Sequence, residues 1–219
     1  LGGLGLTREA WGGHPELHLF RKAFSQALIN LEGLMQMRCF VGLELPQSYQ
    51  EALEDIVADW RDRLRSKISW TKKGNWHLTL CFLGEINQEQ LQSAKESLQQ
   101  VQMPSFQMQA KGGGFFPPGK KPRVIWAGVE TGAQECSRLA ALIAQAVHPL
   151  GQDSGKQSFR PHLTLGRVKQ AKEDDWKGLL QYLQQLQWPE FNVGSFCLWQ
   201  STLKPTGPEY TLLQRCSLL

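Results

Sequence analysis

His77-Leu78-Thr79-Leu80 and His162-Leu163-Thr164-Leu165 are the same tetrapeptide, 85 residues apart in a chain of 219. In a strand, successive side chains point to opposite faces. Each string therefore sends two leucines into a core and sets His and Thr side by side on the other face. The chain holds only five histidines. At its composition, random placement gives roughly 0.004 copies of the string. A single H-x-T is ordinarily a surface strand with a solvated histidine. A strand duplicated for packing explains the leucines of the pair but not the repeated His and Thr. The spacing points instead to two similar halves whose strands floor a polar cleft.

The flanking sequence fits that plan. Arg38 to Leu45 reads as a strand ending at Pro46. Gln47 to Leu64 reads as a helix with Leu53, Ile56, Val57, Trp60 and Leu64 on one face. Trp76 to Leu83 is a strand stopped by Gly84, and Asn87 to Val101 a helix capped by Asn87. Phe106 to Ala110 is a short strand, Lys111 to Pro122 a Gly/Pro loop, Arg123 to Val129 a strand and Gln134 to Leu150 a helix. Ser158 to Val168 holds the second motif strand, followed by a helix over Asp174 to Leu186. Phe191 to Gln200 and Tyr210 to Ser217 are the last strands, joined by a turn around Pro205 to Pro208. Strands and helices are mixed with short links, which predicts an α+β fold with antiparallel sheets. Each half carries an H-L-T-L strand before a helix, the mark of an internal duplication.

Residues 1–36 stand apart. Leu1 to Gly13 is Gly-rich, and Pro15 to Met35 has helical spacing of Leu17, Phe20, Phe24, Leu28 and Leu31. These residues are read as an extension before a two-lobed domain of residues 37–219. An over-long or non-native start explains it, with a docking helix as the alternative. Nothing in it resembles a secretory signal, since polar residues interrupt the apolar ones.

Composition bounds the function. A net charge of +4 permits an anionic partner without demanding one, and a dedicated duplex-binding protein is usually more basic. The five cysteines are odd in number, widely spaced and without a C-x-x-C pair. That argues against a disulfide framework and a zinc site, and points to a reducing cytoplasm. No apolar run approaches the ~18 residues of a membrane span.

Two histidines across a cleft suit a phosphodiester. One takes a proton from the attacking water or hydroxyl, and the other gives a proton to the leaving oxygen. Imidazole serves either role near neutral pH. Threonine hydroxyls can donate to the non-bridging oxygens, where charge grows in the transition state. The scheme calls for no metal and no cofactor.

The residues also resemble a known family, the 2H phosphoesterase superfamily, and within it the RNA 2′,3′-cyclic phosphodiesterase branch, or LigT-like 2′-5′ RNA ligases. The similarity rests on Arg38-Cys-Phe-Val-Gly-Leu-Glu-Leu-Pro46, on Asn75-Trp-His-Leu-Thr-Leu-Cys-Phe-Leu-Gly-Glu85 and on Gly114-Phe-Phe-Pro117 with Pro122-Arg-Val-Ile-Trp-Ala-Gly-Val129. Phe159-Arg-Pro-His-Leu-Thr-Leu-Gly-Arg167 completes it. It spans residues 37 to about 217. The resemblance implies a bilobal LigT-like fold, with two pseudo-symmetric antiparallel sheets around a central cleft and helices on the outer faces. It implies hydrolysis of RNA 2′,3′-cyclic phosphate ends to 2′-phosphates, with His77 as general acid, His162 as general base, and Thr79 and Thr164 on the phosphate. The implied partner is RNA with such an end, tRNA fragments included, acted on by a cytoplasmic monomer. Two positions depart from the family: Ser158, where Pro is frequent, and Cys81, where relatives carry charged or small residues.

Arg160 lies two residues before His162 and should share its face, placing a guanidinium where it can bind phosphate. By the same parity Arg167 and Phe82 fall on the core side, Cys81 shares the cleft face, and Trp126 packs inside its strand. Lys120, Lys121 and Arg123 form a basic cluster that either contacts RNA backbone or is solvated. His14, His18 and His148 are incidental. Two further readings keep the same residues: 2′-5′ joining of RNA halves, and hydrolysis of a small cyclic nucleotide. A non-catalytic RNA-binding module is the reading from another class.

Overall fold

The computed structural model describes residues 36–119, 121–148 and 159–219. The helix expected over Pro15 to Met35, His14, His18, Lys120 and Ser158 lie outside the described residues. The first half of the domain runs β1 (Met37–Glu44), α1 (Gln47–Arg61), β2 (Lys67–Trp70), β3 (His77–Ile86) and α2 (Gln88–Gln99). After β4 (Phe106–Met108) and β5 (Ala110–Phe116), the second runs β6 (Val124–Val129), α3 (Ala133–Val147), β7 (His162–Gln170) and α4 (Trp176–Gln185). The chain closes with β8 (Phe191–Val193), β9 (Ser195–Lys204) and β10 (Gly207–Ser217).

Two antiparallel arrays result, as the α+β reading expects. One has the order β10-β9-β1-β3. The other is β7-β6-β5, with β2 on the flank of β7 away from β6. They join into one 8-stranded sheet through a single residue pair, Leu78 opposite Leu163. β4 and β8 form a separate two-stranded sheet. Leu78 and Leu163 hold the same place in the two tetrapeptides, so a pseudo-twofold axis passes through their pair.

The halves repeat each other in register as well. Gly42 lies opposite Thr79 and Val41 opposite Cys81, while Trp126 lies opposite Thr164 and Ile125 opposite Gly166. Leu80 and Leu165 are therefore the extra residues of two matching β-bulges. At each bulge two neighbours face one partner on the core side. Leu80 and Cys81 are both buried, as are Leu165 and Gly166.

The helices cover one face of the sheet and leave the other to the histidines. Tyr49, Leu53, Ile56, Val57 and Trp60 of α1 and Cys136, Leu139, Ala140, Ile143 and Val147 of α3 enter one core with Val41, Leu78, Leu80, Ile125, Leu163 and Leu165. α2 begins at a reciprocal cap in which the Asn87 side chain accepts from the Gln90 amide and the Gln90 side chain accepts from Asn87 N–H. The Asp175 carboxylate caps α4 by accepting from Gly178 N–H at 2.8 Å. All five cysteines are buried free thiols.

Three local readings need correction. Lys111–Phe116 is strand, not loop, because Ala110–Phe116 pairs with β6. There glycine removes side-chain bulk: a Cβ on Gly113 would stand 2.5 Å from the Trp126 carbonyl oxygen. Gly84 does not stop β3. It takes a positive φ of 69° within an irregularity opposite Cys39 and Phe40, and pairing resumes to Ile86. β2, unforeseen in the sequence, is four residues long and antiparallel to β7. Thr71 then fastens its end to the β7 bulge, donating from N to the Leu165 carbonyl (2.9 Å) and from Oγ1 to the Thr164 carbonyl (2.8 Å).

Candidate active site

His77 and Thr79 on β3, and His162 and Thr164 on β7, lie on the helix-free face, half-buried on either side of the Leu78–Leu163 pair. Both imidazoles are held in the same way. His77 Nδ1 donates to the Asn75 carbonyl at 2.7 Å, and His162 Nδ1 donates to the Arg160 carbonyl at 2.7 Å. A carbonyl can only accept, so Nδ1 carries the hydrogen and Nε2 is the free nitrogen of each neutral ring. Thr79 Oγ1 lies 3.0 Å from His77 Nε2, placing its hydroxyl as donor to that nitrogen. Backbone carbonyls two residues upstream thus fix tautomer and ring direction in both halves.

Aromatic rings hold the imidazoles from the side. Phe40 of β1 lies 4.6 Å from the His77 ring and Tyr210 of β10 meets it edge-on at 5.1 Å, with Trp199 of β9 stacked on Phe40. Phe116 of β5 meets the His162 ring edge-on at 5.2 Å and stacks on Trp126 at 4.9 Å. The Arg160 guanidinium lies over that second pair, 5.2 Å from Trp126 and 5.8 Å from Phe116. A hollow of about 250 Å³ opens beside His77, lined by Glu44, Gln50, Asn75, Trp199 and Tyr210 among others.

The bulges decide three further placements, and all overturn simple alternation. Phe82 pairs with Phe40 and is 59% exposed, so it stands on the histidine face and not in the core. Arg167, its counterpart in β7, is exposed on the same face, where its charge acts on His77, His162 and Tyr210. Cys81 is buried on the core side. Trp126, opposite Thr164, faces the cleft under Arg160. The trace of these shifts in the sequence is the doublet after each threonine, Leu80-Cys81 and Leu165-Gly166, where a small buried residue breaks the alternation. Phe40, Trp199 and Tyr210 carry no such sign, since they reach the cleft only through strand order. Lys121 and Arg123 are exposed at the start of β6, and His148 is exposed at the end of α3.

Burial lowers the pKa of both imidazoles. His77 falls to about 4, mainly through desolvation, with Arg167 and His162 adding to the fall and its bond to Asn75 opposing it. His162 falls as well, first through desolvation and then through Arg167 and Arg160. Both rings are neutral at pH 7, and Nε2 is the nitrogen of each that can take a proton, at His77 once the Thr79 hydroxyl turns away. Such a pair of anchored imidazoles with adjacent hydroxyls and guanidinium groups can bind a phosphate anion and move protons on two sides of it. Among the described residues no group of three or more His, Cys, Asp or Glu is arranged to hold a metal ion. Nor is any described helix long and apolar enough to cross a membrane.

This fold and its paired histidine strands define the class of the protein as a phosphoesterase. More narrowly, the chain belongs to the family described as LigT like Phosphoesterase, whose family model matches residues 43–126 and 128–210. It is 33% identical over 186 residues to the RNA 2′,3′-cyclic phosphodiesterase of Thermotoga maritima, covering 82% of this chain and 95% of that one. It is 34% identical over 174 residues to the RNA 2′,3′-cyclic phosphodiesterase of Archaeoglobus fulgidus, covering 80% and 96%. Among solved structures it resembles TT0787 of Thermus thermophilus, with a TM-score of 0.68 and 30% identity over 83% of this chain and 97% of that one. The fold is also that of E. coli LigT, with a TM-score of 0.66 and 23% identity over 84% and 98%.

Proposed function

We propose that the protein hydrolyses RNA 2′,3′-cyclic phosphate ends to 2′-phosphates by acid–base catalysis between His162 and His77, without a metal. The observation that carries this reading is the matched anchoring of the two rings. Each Nδ1–H is held by a backbone carbonyl, which leaves Nε2 of each ring as the nitrogen that exchanges a proton. The activity for which the relatives are named supports the substrate.

In this scheme the cyclic phosphate lies between the two H-L-T-L strands. His162 Nε2 takes a proton from water as the water oxygen bonds to phosphorus. The bond from phosphorus to O3′ breaks, and His77 Nε2–H protonates O3′, leaving a 2′-phosphate and a free 3′-hydroxyl. Thr79, Thr164 and Arg160 hold the non-bridging oxygens, and Arg167 adds a second guanidinium facing both rings. An anionic phosphate against Nε2 offsets the burial that keeps His77 neutral and raises its proton affinity. Burial holds His77 well below the ordinary imidazole range, so its charged form is a strong acid, which supports its role at the leaving oxygen. The reading extends to a monomer working in the cytoplasm on RNA ends such as those of tRNA fragments.

The test is turnover of an oligoribonucleotide bearing a 2′,3′-cyclic phosphate in the presence of a chelator. A 2′-phosphate product is expected, with a bell-shaped dependence of rate on pH. His77→Ala and His162→Ala should each lower kcat by about 10²-fold or more. Activity that vanishes in chelator, a 3′-phosphate product, or a double-alanine variant as fast as wild type would each overturn it.

A further inference from the structure

The two halves of the cleft match in backbone and differ in chemistry. Position by position, β3 and β7 present His77 and His162, Thr79 and Thr164, then Phe82 and Arg167. Beyond the histidines the first half is mainly aromatic: Phe40, Phe82, Trp199 and Tyr210 share one face with exposed Leu212, and Arg38, two residues before Phe40, adds one charge there. The second half keeps Phe116 and Trp126 beside His162 but is cationic along its β7–β2 margin. Ser69 of β2 lies opposite Arg167, and Lys67 lies opposite Gln170, one residue of β7 being extra between them. That extra residue is Lys169. At such a bulge both bulged residues share the face of their single partner, so Lys67, Lys169 and Arg167 stand on the face of His162 and Thr164. All three are exposed. None of them enters an ion pair with a described residue.

From this asymmetry we infer that the β7–β2 margin is a track for the phosphate backbone of the RNA upstream of its cyclic end. The preferred substrate is then an oligonucleotide rather than a cyclic mononucleotide. The inference rests on the phosphodiesterase reading and adds to it where the rest of the strand lies. A cyclic mononucleotide has one phosphate, and the two histidine strands and Arg160 already surround it. Lys169 lies five residues beyond Thr164 along β7, and a strand advances ~3.3 Å per residue. It is therefore out of reach of that phosphate but in line with the ones that precede it. Unpaired lysines on one strand margin attract a polyanion by counterion release. A carboxylate-bearing peptide would also be attracted, but the track begins at the phosphate-handling histidines, which favours a polymer of phosphates. The aromatic half opposite supplies ring faces on which unpaired bases can stack.

The experiment compares kcat/KM for adenosine 2′,3′-cyclic phosphate and for a ten-residue oligoadenylate ending in the same cyclic phosphate. Both are measured in wild type and in the double variant Lys67→Gln, Lys169→Gln across a salt series. In wild type the oligonucleotide should be preferred, and its advantage should shrink with salt. In the variant the ratio of the two kcat/KM values should fall about tenfold, and the salt slope for the oligonucleotide should become shallower by about 1.4. Equal rates per substrate in wild type, or an unchanged ratio in the variant, would overturn the track while leaving the phosphodiesterase reading intact. Failure of wild type to turn over either substrate would instead overturn the phosphodiesterase reading, and the track with it. A competing carboxylate polymer that inhibits as strongly as oligoadenylate bearing no cyclic end would also count against a phosphate track.

Discussion

His77 and His162 have the same anchor and the same neighbour in sequence, yet Arg167 is the charge that both of them feel. Its role can be read in pH. A guanidinium beside an imidazole disfavours the imidazolium, so it adds to desolvation in lowering both pKa values. Replacing Arg167 with Met removes that charge and keeps an apolar stem. Both pKa values should then rise toward 6.5 without reaching it, because burial remains. Imidazole proton resonances followed by NMR from pH 4 to pH 8 measure this directly. The rate profile should follow: His162 as base must be unprotonated, so a higher pKa moves the acid limb of the profile to higher pH. If neither resonance moves, Arg167 does not act on the rings. If His162 alone moves, the two rings do not share one field.

At the scale of elements, the twin bulges matter more than any helix. They depend on close approach of β1 and β6 to the motif strands. A Cβ on Gly42 would lie 2.5 Å from the Leu78 carbonyl oxygen, a backbone atom within the first motif. Gly42→Ala should therefore cost about 1–3 kcal/mol and reduce activity by displacing His77 and Thr79. Gly194→Ala is the control, since its Cβ meets only the Asn192 Nδ2 atom at 3.6 Å, and it should stay within about 0.5 kcal/mol. Urea unfolding of both variants checks this, and an unchanged Gly42→Ala midpoint would refute the tight pairing. These bulges also mark where the sequence could and could not be read. The H-L-T-L strings identified both motif strands, and the 3.6-residue stripes located α1 and α3, because periodicity survives in regular elements. Alternation fails after one extra residue, and so simple parity puts Phe82 and Arg167 on the wrong face. β5 is not legible because Gly112, Gly113 and Gly114 resemble a turn when the strand opposite them is not in view. β2 is not legible because four residues are too few for a pattern, and its pairing with β7 lies about a hundred positions away.

At the scale of the whole molecule, two halves joined in the sheet by the Leu78–Leu163 pair and by the short strand β2 on the edge of β7 need other ties, and Tyr49 supplies one. It is fully buried on α1, in the first half. Its hydroxyl donates to the Pro189 carbonyl at 2.7 Å and accepts from Ala110 N–H, at the start of β5, at 3.1 Å. Its ring lies against Trp188 and Phe191, centroids 6.1 and 5.0 Å away. One phenol thus joins a first-half helix to the strands that open and close the second half. Tyr49→Phe keeps the ring and strands a buried donor and a buried acceptor, which should cost about 1–3 kcal/mol. The residue points into the core, away from the helix-free face, so kcat on a cyclic phosphate should be unchanged while the urea midpoint falls. The slope of the transition discriminates between two ways of losing that stability. An unchanged slope means that the halves still unfold together, held by the shared core around Leu78 and Leu163. A shallower slope or a second transition means that the hydroxyl coupled them, and that the sheet pair alone does not make one cooperative unit of two lobes.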